Sequence, residues 1–157
     1  RIRALAVLGL ALLGAALWFA PLGRTPDVIA AAYDDMRKDR DLRGAHNGDP
    51  TRWLATKAVH VPAEMRLDLS KDCALDGIVA RHLRLVDANL GRVNFFIYEP
   101  APAGTRVAPA SGAVADQYWL LAEPRPGVVV VVLYDAADKR ESVARLVARM
   151  FAAAISV

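Results

Sequence analysis

The chain has 157 residues, of which 55% are hydrophobic and 24% charged, with a single cysteine. That length suits one modest domain, and apolar content this high excludes a disordered tail. Twenty Lys and Arg against seventeen Asp and Glu leave a net charge of +3, and Arg1, Arg3 and Arg24 account for the surplus. The rest of the chain is charge-balanced and shows no basic stripe with interleaved aromatics, so direct binding of nucleic acid is not expected.

Those three arginines bracket ALAVLGLALLGAALWFAPLG, Ala4 to Gly23, which lacks any charged or strongly polar side chain. At about 1.5 Å per residue a helix over it spans about 30 Å, the thickness of a hydrocarbon core. A cleaved signal peptide is the competing reading. Its h-region would be shorter, about 7 to 15 residues, and would end in small residues, whereas this run ends in Trp18 and Phe19. The segment is therefore expected to be a retained anchor, with Ala4, Leu10, Gly14 and Leu17 in lipid and Trp18 and Phe19 at the far interface. Arg1 and Arg3 favour a cytoplasmic amino terminus. The expectation is a single-pass protein of a bacterial inner membrane, residues 1–24 forming the anchor and 25–157 an extracytoplasmic (periplasmic) domain, with membrane lipid as one partner.

That second part reads as α+β: an antiparallel sheet of about four to five strands packed by helices. Asp27 to Arg40 predicts an amphipathic helix with Val28, Ala31, Ala32 and Met36 on one face and Asp34, Asp35, Arg37 and Lys38 in water. After turn chemistry at Gly44, Asn47 and Gly48, Asp49 and Pro50 start a short helix that presents Trp53, Leu54 and Ala58 to the core. Strands are predicted at Met65–Ser70, Gly77–Leu85, Val93–Tyr98, Tyr118–Glu123 and Val128–Tyr134. Asp72 to Gly77 reads as a turn, and the Pro/Ala/Gly/Ser-rich stretch from Glu99 to Asp116 as a long loop.

The Val128–Val132 run implies a strand covered on both faces or covered by a partner, which makes Val128, Val130 and Val132 candidate partner-facing residues. The loops at Arg106 and Arg125 are further candidate contacts. A carboxy-terminal helix follows. Asp138 and Glu141 have capping-box spacing, and Val143, Leu146, Val147, Met150, Phe151 and Ala154 keep the helical period.

No catalytic constellation is visible. His46, His60 and His82 are scattered and have no metal-ligand spacing, and no cofactor is implied. Cys73 is alone, and sequence offers no reason to pair it with a base such as His82, so it reads as a small buried thiol. Ser70 is not in a nucleophile elbow. Asp34, Asp35, Asp68, Asp72 and Asp76 select no carboxylate pair and read as solvated faces and turn caps. A binding module is expected, not an enzyme.

The stretch DPTRWLATKAVHVPAEMRLDLSKDCALDGIVARHLRLVDANLGRVNFFIY resembles the extracytoplasmic domain of membrane-anchored anti-sigma factors. The likeness is carried by Asp49, Pro50, Trp53 and Leu54, by Val61, Pro62, Asp68, Leu69 and Ser70, and by Leu75, Gly77, Leu90, Gly91 and Phe95 to Tyr98. These are packing and turn positions over about a third of the chain. The family's cytoplasmic sigma-binding domain, with its His and Cys zinc motif, is not among these residues, its Gly-x-Arg is blurred into Ile78–Arg84, and the last third of the chain has no counterpart. The resemblance implies a transmembrane regulator whose protein partner is a sigma factor, bound through a segment upstream of Arg1. The alternative is a bitopic accessory subunit of a larger membrane complex, its span packing through Gly9, Gly14 and neighbouring alanines.

Overall fold

The computed structural model describes residues 26–75, 77–101 and 109–152. The apolar segment, with Ala4, Leu10, Gly14, Leu17, Trp18 and Phe19, lies outside the described residues, as do Asp76, Arg106 and Ala154. Among the described residues no helix is long and apolar enough to cross a membrane. They form a mixed α+β fold in which one seven-stranded sheet carries helices on both faces.

In chain order the elements are α1 (Asp27–Lys38), β1 (Ala45–His46), α2 (Pro50–Thr56), β2 (Arg66–Leu75), β3 (Ile78–Asp87), β4 (Gly91–Tyr98), β5 (Ala110–Val114), β6 (Gln117–Arg125), β7 (Val128–Tyr134), a single 3₁₀ turn and α3 (Arg140–Phe151). Their order across the sheet is β1-β2-β3-β4-β7-β6-β5. Only β1 pairs in parallel, against β2; the other neighbours are antiparallel. All five predicted strands form, and two more lie outside the prediction. β1 is two residues long, and β5 comes out of the stretch read as loop because Ala110–Val114 completes a hairpin with β6. The expected turn at Asp72 is displaced as well. β2 runs on to Leu75 and turns at Gly77, whose φ of +79° suits a residue without Cβ.

β7 lies inside the sheet between β4 and β6, and all seven of its residues are buried. Val128, Val130 and Val132 point to the face beneath α3, and Val129, Val131 and Leu133 to the face beneath α1. The first three are therefore core residues and not a partner-facing surface: helices of the same chain cover both sides of the strand. β-branched side chains pack well on a doubly covered strand, which explains the unbroken valine run.

α3 lays Val143, Leu146, Val147, Met150 and Phe151 on that core, each such burial contributing about 1.5–3 kcal/mol. The predicted Asp138 cap does not form. The chain makes a 3₁₀ turn at Ala137–Lys139 first, and α3 starts at Arg140 with no side-chain cap. α2 starts as read: the Asp49 carboxylate accepts from Thr51 N at 2.9 Å and Arg52 N at 3.2 Å, and Pro50 holds the first turn. Trp53 and Leu54 pack against the same core as α3, while Ala58 is exposed.

Candidate functional site

α1 buries Ile29, Ala32 and Met36 on the opposite face of the sheet. The spacing that points these three inward does the same for Asp35 and Asp39, both less than a tenth exposed. Asp35 was expected in water. The sheet beneath it is not uniformly apolar, and this overturns that expectation: Lys71 and Cys73 rise from β2, His82 and Arg84 from β3, and Asn94 from β4.

The register assembles them. Lys71 lies opposite His82, Cys73 opposite Ala80, and Arg84 opposite Asn94, so these side chains share one face across three adjacent strands. A bulge between Leu67 and Leu69 lets Asp68 meet Arg84, its Oδ2 accepting from Arg84 Nε at 3.0 Å. The same guanidinium donates from NH1 to Asp39 O at 3.0 Å and from NH2 to Leu42 O, satisfying carbonyls at the end of α1. The Arg84–Asp68 pair is buried on both sides.

Above it the two helix carboxylates meet the strand side chains. Cys73 Sγ donates to Asp35 Oδ2 at 3.0 Å. His82 Nδ1 lies 3.1 Å from Asp39 Oδ2 and 3.4 Å from Asp35 Oδ2. Its Nε2 faces Asn94 Oδ1 at 3.1 Å, and its ring stacks on Phe96 with centroids 4.2 Å apart. Lys71 Nζ sits 2.6 Å from Asp39 and 3.5 Å from Asp35, at the solvent edge.

Burial alone would raise the Asp35 carboxyl, but hydrogen bonds from His82 and Cys73 and the Lys71 charge outweigh it and hold it well below the usual carboxylate range. Asp39 is lowered likewise: burial opposes, and bonds from His82 and Lys71 prevail. His82 is raised despite burial, which favours the neutral ring, because Asp35, Asp39 and Asn94 all accept from it. The Cys73 thiol is pushed up to about 12 by burial and then by Asp35. A thiol held protonated and already bonded to a carboxylate is no nucleophile at neutral pH. The cluster is thus two carboxylates facing the His82 ring and the Lys71 ammonium, with the Cys73 thiol beside them.

Nothing in their spacing pairs Cys73, His82 and Asp35, and the fold brings them together with Asp39. His46 and His60 stay apart, both exposed. The residues that carry the resemblance serve packing. Asp49 and Pro50 cap α2, and Trp53 lies under the Arg81 guanidinium, 5.2 Å from ring centroid to carbon. Pro62 O accepts from Met65 N, Leu69 and Tyr98 are buried, and Gly77 makes the β2–β3 turn. Ser70 Oγ accepts from Arg81 Nε at 3.1 Å and NH2 at 2.7 Å, while Asp72 is an exposed partner of the same arginine. Of that set Asp68 reaches the surroundings of the buried cluster through Arg84, and Tyr98 lies in the same apolar cluster as Cys73.

Compared with known protein families, with curated proteins and with solved structures, the chain matches none.

Proposed function

We propose that this chain is a single-span membrane protein whose extracytoplasmic domain binds or senses without catalysing, a transmembrane regulator of the anti-sigma kind. The observation that carries the reading is the uncharged segment Ala4–Gly23, long enough for a bilayer and edged by arginines, with three residues between it and the start of α1 at Asp27. α1 and the turn after it are fastened to the sheet by Arg84, Lys71 and His82, so whatever moves the span relative to the membrane would act on a helix whose inner face is packed on the sheet. A non-catalytic role is supported by the chemistry of the cluster: its thiol is protonated, and its carboxylates already accept from their neighbours.

The test is the fate of the full chain in membranes. It should stay in the pellet after carbonate extraction, and protease added from the extracytoplasmic side should degrade the sheet domain. Release by carbonate, or protection of the domain from that side, overturns the reading. The full-length gene should encode a sigma-binding segment before Arg1; comigration with a large membrane assembly in mild detergent instead would identify an accessory subunit.

A further inference from the structure

We propose that Asp35, Asp39, Cys73 and His82 form a binding site for one thiophilic divalent cation of the zinc class. Each residue offers one ligand atom, and these atoms all lie within 4.8 Å of one another. Tetrahedral zinc, with bonds of about 2.0 Å to O and N and about 2.3 Å to S, requires ligand atoms about 3.3–3.5 Å apart. Three of the pairs here stand at 3.0, 3.1 and 3.4 Å, so the donors are near that spacing before any ion enters.

A second observation is independent of the quartet. Zinc-bound histidines almost always donate their outer N–H to a fixed acceptor, which orients the ring. His82 has that arrangement: Nε2 faces Asn94 Oδ1 at 3.1 Å, Phe96 stacks on the ring, and Nδ1 is left as the nitrogen aimed at the carboxylates.

The donor chemistry selects the ion. One thiolate, one imidazole and two carboxylates suit zinc and its neighbours, whereas calcium and magnesium take oxygen ligands. Metal ligands bind deprotonated, so the ion would displace the Cys73 proton to solvent and take His82 through a neutral Nδ1. Lys71, a quarter exposed, marks the side from which the ion would arrive.

This inference does not depend on membrane anchoring, so carbonate extraction and metal binding can fail separately. The full chain in mild detergent, stripped by chelator, is titrated with Co²⁺ and then with Zn²⁺. One Co²⁺ per chain should bind, with a thiolate-to-cobalt charge-transfer band and the strong visible bands of tetrahedral cobalt, and Zn²⁺ should displace it. Cys73→Ser should lose the charge-transfer band, and Asn94→Ala should weaken Zn²⁺ binding about 10- to 100-fold. A wild-type chain without that band overturns the proposal, and this spectrum decides alone if the variants do not fold. Zn²⁺ binding that survives unchanged in a folded Cys73→Ser also overturns it, since the ion is then held elsewhere.

Discussion

The two faces of the sheet are built from the same strands by different means. Under α3 the contact is apolar throughout, from Leu83, Leu85 and Phe95 across to Val130 and Val132, closed by Leu146, Val147 and Met150. Under α1 the β6 and β7 side chains are equally apolar, but β2 and β3 meet the helix through Lys71, Cys73, His82 and Arg84, and β4 adds Asn94 beneath His82. Apolar contact is non-directional and tolerates small shifts, while a buried charge requires its partner at a set distance. α3 is therefore held by area, and α1 by area plus address.

Breaking the contrast from the apolar side gives the largest effect expected. Val130→Lys places an ammonium on a fully buried interior strand, inside the apolar core, and the chain should lose its cooperative unfolding transition altogether, read by urea titration with far-UV circular dichroism. On the polar side, Arg84→Leu takes the buried partner from Asp68, leaving it only the exposed Arg66, and strands two carbonyls; it should lower stability by about 3–5 kcal/mol. Met150→Ala, which removes only area, should cost about 2–5 kcal/mol in the same titration, toward the lower end if α3 settles into the space.

Acid sharpens the comparison, because only the α1 side answers to it strongly. Burial would raise Asp68, but Arg66 and Arg84 prevail and hold it below its ordinary value of 3.8. A lowered carboxyl contributes stability above the unfolded value, and the contribution is lost as pH falls through the folded one. The urea midpoint should therefore drop from pH 5 toward pH 3, and Asp68→Asn should flatten that decline. The smallest change expected comes from Asp49→Ala, which removes the α2 cap far from both contrasts and should cost about 1 kcal/mol.

The apolar half of this design was open to sequence reading. Periodicity located α3 and five strands, and Asp49-Pro50 located α2, because local pattern and burial agree there. β5 was missed for a physical reason: Ala110–Val114 has little strand preference of its own, and it becomes a strand by pairing with β6, where a Cβ on Gly112 would sit 2.7 Å from the Trp119 ring. The cluster was missed because polar side chains were assigned to water by type. Asp35 and Asp39 do lie on the stripe of Ile29, Ala32 and Met36, and Lys71 and Cys73 alternate with exposed Asp72 and Ala74. Those offsets carried the signal. What the offsets could not supply is the register that sets Lys71 against His82, or the docking of α1 above both.

The position of β7 has a consequence for biosynthesis. Of the described strands it is the last to leave the ribosome, yet it lies inside the sheet, joined to β4 on one side and β6 on the other. Until Val128–Tyr134 has been made, β1 to β4 and the β5–β6 hairpin are separate pieces, each with an open edge, and β4 ends in the apolar run from Phe95 to Tyr98. The nascent domain passes through a stage in which its stickiest edges await a partner that is still being translated, and a chain cut short before Val128 would remain there.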